Sequence, residues 1–217
     1  MEGLIYKIQP YQEHARLLYV YTPKGKKTLL AQGSQKVNHP HRILAQYLTH
    51  IDFKESPKSF IVLSEAKIIN DFETLKKDFK QTQSAALILE IIDHVVVDKE
   101  AHDMIFHDMM QSLRAPNIFL SSLSFAVKIL KPLGYGLELS PDGRPIQGVS
   151  ILRGGLVYEK EDVYIDLGVK DAVYLLKLSL MPYHLLEAIE DDALIRIKEF
   201  ILKYYQFHLQ TTLKNLQ

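Results

Sequence analysis

The chain has 217 residues, 47% of them hydrophobic and 24% charged, with 26 basic and 26 acidic side chains in balance. That length allows a proper core in one large domain or two small ones, and no apolar run approaches the ~20 residues that span a bilayer. Cysteine is absent, which excludes disulfides, thiolate catalysis and cysteine-ligated zinc.

The chain opens on MEGLIYKIQP, which lacks the apolar core of a secretion leader, so a cytoplasmic location is expected. The first 66 residues then read as five short strands. In LIYKIQ the set Leu4, Tyr6, Ile8 alternates with Ile5, Lys7, Gln9, and in RLLYVYT Leu17, Tyr19, Tyr21 alternate with Arg16, Leu18, Val20. Pro23 and Gly25 mark a turn, after which KTLLAQ sets Lys27, Leu29, Ala31 opposite Thr28, Leu30, Gln32. In HIDFK, Ile51 and Phe53 oppose His50, Asp52 and Lys54, and FIVLSEA reads as a more continuously buried strand. Five strands with long links at 10–16 and 33–47 suit a small closed barrel, with an open two-layer sheet as the competing layout.

Helices are predicted after Asn70. NDFETLKKDF carries Asn70 or Asp71 as a cap and Phe72, Leu75, Phe79 on one face, and SAALILEIIDHVVV reads as a central helix. KEAHDMIFHDMMQSLR places Met104, Ile105, Phe106, Met109 and Leu113 on a broad stripe, and Pro116 separates it from FLSSLSFAVKILKPL. The Gly- and Pro-rich stretch at about 135–165 predicts turns and a hairpin, and DAVYLLKLSL and DDALIRIKEFILKYYQFHLQTTLKN close the chain as helices. In the last of these, Asp191 and Asp192 suit the positive end of the macrodipole and Lys214 the other. The expected architecture is α+β, a β domain at 1–80 followed by a helical domain at 81–217 with an irregular insertion.

The neutral total hides an asymmetry. Residues 1–50 carry seven Lys/Arg (Lys7, Arg16, Lys24, Lys26, Lys27, Lys36, Arg42) against Glu2 and Glu13, a balance of +5, and the remainder balances at −5. In YTPKGKKTLLAQGSQK, residues 21–36, four of sixteen residues are lysines and none is acidic. Mobile ammonium groups at a Pro–Gly turn suit phosphate contacts that carry no sequence information, and Tyr19 and Tyr21 on one strand face are candidates for stacking under bases. The structural alternatives are a solvated loop tip and aromatics that fill the core.

Several constellations carry no chemistry. His102 and His107 are five apart, the wrong spacing for two ligands on one helical face, and His94 with Asp98 has the spacing but lies at an expected helix end. The pairs Glu187/Glu190 and Asp191/Asp192 sit at a helix start, where acids suit the dipole. No nucleophile–base pair, phosphate-cradling loop or dinucleotide fingerprint is present. Neither catalysis nor a cofactor is expected.

In its order of motifs the chain resembles the RecO family of bacterial recombination mediators. Gly3, Lys7, Tyr11, Glu13, Arg16, Leu17 and Leu18, then Thr22, Gly25, Lys26, Leu30, Ala31 and Gly33, match its N-terminal pattern. SEAKIINDFETLKKD resembles the family's passage into its helical part, and Tyr204, His208, Leu209, Leu213 and Lys214 its final helix. The resemblance implies a five-stranded oligonucleotide-binding barrel that contacts single- and double-stranded DNA through Lys7, Arg16, Lys24, Lys26, Lys27, Lys36, Arg42, Tyr19 and Tyr21. It also implies a nucleoid-associated role in strand annealing and in helping RecA displace single-stranded DNA-binding protein, with RecR as a partner. The helical lobe would dock that protein's acidic, aromatic tail, with Arg114, Lys128 and Lys131 as candidate cations. Departures are the missing four-cysteine zinc site of many members, at about 135–165, and Gln32 and Gln35 where the family carries basic residues. A protein-only adaptor and a nucleic-acid-processing enzyme are the rival readings.

Overall fold

A computed structural model describes residues 1–58, 60–97 and 101–217. The chain is α+β and divides into two compact units, Met1–His107 and Asp108–Gln217.

The first unit is built on a six-stranded sheet of β1 (Glu2–Tyr11), β2 (Ala15–Thr22), β3 (Gly25–Ala31), β4 (Thr49–Phe53), β5 (Phe60–Val62) and β6 (Ala66–Asn70), in the order β5-β3-β2-β1-β4-β6. Six strands stand where five were expected, because FIVLSEA is broken. Only Leu63 of its centre is buried, Phe60 and Val62 are exposed, and AKIIN pairs with β4 as a separate strand. The two edges of the sheet are therefore consecutive in sequence. Three residues join Val62 to Ala66, so these edges lie within about 15 Å of each other, four Cα steps of about 3.8 Å. The register agrees with that curl. Val62 pairs at the level of Leu30, Leu17 and Gln9, whereas Ala66 pairs with Phe53 beyond the start of β1; such a stagger is what a tilted, curling sheet requires.

The inner face carries the alternation read from the sequence. Leu18, Val20, Leu29, Ala31, Ile51 and Phe53 form one cluster with Ile5, Leu63 and with Leu44 and Ala45 at the end of a short helix, α1 (His41–Leu44). The outer face is also covered in part: Leu4, Tyr6 and Tyr21 are buried, and β1 contacts α3 (Phe79–His94). The strand alternation underestimates this second layer.

The predicted helix from Asn70 is interrupted. Phe72 takes a left-handed conformation (φ 50°), α2 spans Glu73–Lys77, and Asp78 is extended, its carboxylate accepting from Gln81 N at 2.8 Å as the cap of α3. An aspartate that finds a backbone donor three residues ahead competes with helix continuation, and Phe79 is left 81% exposed. In α4 (His102–Leu113), Ile105, Phe106, Met109, Met110 and Leu113 are buried as expected, but Met104 is exposed.

In the second unit α5 (Ile118–Lys128) is the central helix, buried from Leu120 through Val127. Its polar positions reach backbone acceptors: Ser124 Oγ donates to Leu178 O at 2.6 Å, and Tyr205 Oη donates to Ala126 O at 2.7 Å. Around it lie α6 (Val169–Leu180) and α7 (Asp191–Leu209). α7 ends earlier than predicted, at Gln210 (φ 52°), which puts Lys214 in a separate turn of 3₁₀ helix. The Gly/Pro-rich insertion is a three-stranded sheet, β7 (Ile146–Ser150), β8 (Gly155–Tyr158) and β9 (Leu167–Gly168), ordered β8-β7-β9.

No helix among the described residues is long and apolar enough to cross a membrane.

Candidate nucleic-acid interface

The β2–β3 turn is set by its own chemistry. Thr22 Oγ1 donates to Gly25 O at 2.7 Å and accepts from Lys24 N at 3.1 Å. Gly25 has φ +99°, where a side chain is strained, and a Cβ there would meet the His102 ring at 3.2 Å. Lys24 at the tip pairs with Glu55. The hydrogen bond from Lys24 holds the Glu55 carboxyl below the usual range, with Lys24, the N-terminal ammonium and Lys27 adding charge attraction.

The remaining cations predicted for this surface separate by role. Lys26 Nζ donates to Asp93 O at 2.9 Å and Val96 O at 2.7 Å, so it closes the C-terminal end of α3, where a cation complements the dipole. Lys7 pairs with Asp93 Oδ2 at 2.9 Å and stands 5.5 Å from the Tyr19 ring centre. Arg16 Nη1 donates to Ala45 O at 2.9 Å, tying β2 to the end of α1. Lys36 and Arg42 are exposed, and neither makes an ion pair among the described residues.

The two tyrosines part company. Tyr19 is half-buried, donates to Gln9 Oε1 at 2.9 Å and lies 6.3 Å from Tyr6, whose hydroxyl is pushed above its usual range by burial, with Asp93 and Tyr19 adding to the effect. Tyr21 is 0% exposed, bonded to His102 Nδ1 at 3.1 Å and set against Phe106 at 6.2 Å, so it offers no face to a base. Tyr21→Phe removes the hydrogen bond to His102 Nδ1. It should cost about 0.5–1.5 kcal/mol in thermal melts and leave oligonucleotide affinity unchanged in the same preparation.

A stronger signal than the count over residues 1–50 lies in the sequence. From His14 to Ile51 there is no acidic residue, while six Lys/Arg and four histidines fall in that span. One of the two glutamine replacements also has a defined job: Gln35 Nε2 donates to Ala15 O at 2.6 Å and Gln12 O at 3.4 Å, stitching the β1–β2 turn to the segment after β3. Gln32 is exposed.

In the second unit the predicted cations are not equivalent. Lys128 Nζ donates to Met181 O at 2.7 Å and sits 3.9 Å over the Tyr183 ring, whose hydroxyl donates to Asp108 Oδ2 at 2.8 Å. Burial pulls the Lys128 amine down and pushes the Asp108 carboxyl and the Tyr183 hydroxyl up. Arg114 and Lys131 are exposed, and no hydrogen bond or ion pair joins either to Lys128 among the described residues. A concave surface of about 460 Å³, lined by Leu152, Tyr164, Lys203 and Phe207, was not foreseen, because its residues lie far apart in the chain.

The carboxylates near α7 are structural: Glu187 pairs with Lys177 and Glu190 with Lys170. Among the described residues no three His, Cys, Asp or Glu side chains are grouped to hold a metal; Asp98 lies outside them. A four-thiolate zinc site does not fit this chain, which has no cysteine. The insertion is held instead by Glu161, which pairs with Arg144 at 2.8 Å and with Arg153, and by Asp166, which accepts from Ile151 N at 2.7 Å.

Fold and charge together define an α+β protein with a curled, cation-bearing N-terminal sheet and a helical unit carrying a small sheet. The chain is similar to proteins named DNA repair protein RecO, in line with the resemblance of its motifs. It is 32% identical over 143 residues to the DNA repair protein RecO of Clostridium perfringens (strain 13 / Type A), covering 63% of this chain and 58% of that one. It is 29% identical to that of Clostridium kluyveri over 63% and 56% of the two chains, and 25% identical to that of Bacillus mycoides over 62% and 56%. The matches span just over half the length of these curated relatives. No protein-family model matches the chain.

Proposed function

We propose that the chain acts in DNA repair and homologous recombination as a non-catalytic, cofactor-free mediator. It binds single-stranded DNA, promotes strand annealing and helps load recombinase onto DNA coated with single-stranded DNA-binding protein. The observation that carries this reading is the acid-free cationic stretch from His14 to Ile51, mounted on a curled sheet in a chain related to proteins named for DNA repair. The β part, 1–80, is read as an oligonucleotide-binding barrel whose fifth strand is interrupted into β5 and β6. Two features support it: the first half runs parallel to β3, and the second half antiparallel to β4.

The helical part, 81–217, serves partner contacts in this reading: the acidic tail of single-stranded DNA-binding protein, RecR, and RecA indirectly. Arg114 and Lys131 remain its candidate cations, while Lys128 is committed to Tyr183 and Met181. A cytoplasmic, nucleoid-associated location follows from the same reading.

The test is fluorescence anisotropy with a labelled single-stranded oligonucleotide across a salt series, followed by annealing of complementary strands. Binding should weaken steeply with salt, with a log–log slope of about −0.7 for each phosphate neutralised, and annealing should accelerate. No binding even at low salt favours the protein-only adaptor, and turnover of nucleic acid or nucleotide favours the enzyme.

A further inference from the structure

Helix α7 buries Ala193, Ile197, Phe200, Ile201, Tyr204 and Tyr205. Its other side carries one row at four-residue spacing: Ile195, Glu199, Lys203 and Phe207, all exposed. Four-residue steps set neighbouring side chains into a continuous ridge, here about 18 Å long at about 1.5 Å per residue. The middle of the ridge is an ion pair, Lys203 Nζ to Glu199 Oε1 at 2.8 Å. Its ends are apolar, with Ile195 64% and Phe207 56% exposed. The Phe207 end opens onto the concave surface of about 460 Å³, where Leu152 and Tyr164 are exposed as well. A single exposed apolar side chain is ordinary, but three around one hollow form a patch.

We propose that this ridge and hollow are the contact between two copies of this chain, related by a two-fold axis that passes between Glu199 and Lys203. The ridge is complementary to its own reverse. Run antiparallel about that axis, Ile195 falls beside Phe207 of the second copy and Glu199 beside Lys203, each pairing occurring twice. Side-by-side packing of four-residue ridges is the commonest geometry of helix pairs, and it lays the ridge along its copy. Ile195 of the second copy then meets the hollow of Leu152, Tyr164 and Phe207. The rest of the exposed side of α7 agrees: Arg196 faces Gln206 and Asp192 faces Gln210, so no like charges oppose. The ridge carries one acid and one cation, and the hollow is lined by Lys203 and Asp166. Neither offers the excess of cations that an acidic peptide or a phosphate strand needs, whereas balanced charge suits a second copy. A contact of one helix and one hollow has a small area, so the dimer should form only as concentration rises.

The experiment is analytical ultracentrifugation of the whole chain over about 1–100 µM, where a contact of small area becomes populated. Wild type should pass from monomer to dimer. Glu199→Lys sets lysines against lysines across the axis, and Lys203→Glu sets glutamates against glutamates. Each should weaken the dimer about fivefold or more. An equimolar mixture of the two variants should associate again, because the lysines of one chain then face the glutamates of the other. The double variant E199K/K203E should associate too, since it exchanges the signs and keeps the pairing. Ile195→Gln, a change at an exposed position, should weaken the dimer about fivefold or more by removing its apolar end. Thermal melts check that each variant is folded, and recovery in the mixture is itself a control against misfolding.

A wild-type chain that stays monomeric throughout this range overturns the proposal. So does a dimer that Glu199→Lys and Lys203→Glu leave at full strength, or one that both variants abolish and their mixture does not recover. A monomeric wild type that binds an acidic, aromatic peptide, released by Lys203→Glu, also overturns it and gives the hollow to a peptide. Each of these outcomes leaves the DNA reading untouched.

Discussion

Lys26→Glu should destabilise the N-terminal unit by about 3 kcal/mol, the lower end for losing two hydrogen bonds made by a charged donor. Lys26 Nζ now donates to Asp93 O and Val96 O, and its ammonium stands 5.8 Å from the Tyr6 ring. Glutamate at that position removes both donors and sets a carboxylate against the carbonyls at the negative end of α3. In a unit of about 100 residues this loss moves the melting midpoint by more than about 10 °C. Lys26→Met, which removes the charge and keeps the stem, should fall between wild type and the glutamate variant. The measurement is a thermal melt of each protein, run beside the oligonucleotide titration. If Lys26→Glu melts with wild type yet binds DNA weakly, Lys26 is a phosphate contact and its role at the helix end is secondary. This matters for any charge-reversal scan of the hairpin, because a variant that includes Lys26 confuses lost fold with lost contact.

Gly148→Val should be the most damaging single change in the second unit. An ideal Cβ on Gly148 would stand 2.1 Å from Leu167 O and 2.5 Å from Ile165 Cγ2. One of those neighbours is backbone and cannot rotate away. Gly148 pairs with Gly168 of β9 and Val157 of β8, so relief requires the strands to part. A forced rearrangement of this kind costs about 3 kcal/mol. Limited proteolysis should show new cleavage between about residues 135 and 165, and the thermal melt should broaden or fall. By comparison Arg144→Ala, which removes exposed pairs with Asp142 and Glu161, should change the melt little. A Gly148→Val protein with unaltered melting and protection would show that β9 is not held as the structure has it.

The parts legible in the sequence are those governed by local pattern. The alternation of Leu29 with Leu30, or Ile51 with Asp52, reports which face meets the inner cluster, because side-chain direction on a strand has a period of two. The burial of Tyr21 escapes the alternation for a related reason. On a sheet covered on both faces, alternation separates two cores and not core from solvent, and nothing near Tyr21 in sequence announces Phe106 and His102. The break at Asp78 is missed because the stripe of Phe72, Leu75 and Phe79 carries the helical period across it, whereas Asp78 caps a new helix. The candidate site was legible as charge and not as geometry. Lysines 7, 24 and 26 look alike in sequence, and only their long-range partners, Asp93, Glu55 and the end of α3, separate structural cations from available ones.

The three-residue link between β5 and β6 ties together the two margins of the N-terminal sheet. No ladder joins those two edge strands among the described residues, so they are connected by a tether and not by a row of hydrogen bonds. Margins joined in this way can part without breaking any pairing elsewhere in the sheet. Lengthening Leu63–Glu65 by a residue or two would let the two margins separate further while leaving each hairpin intact.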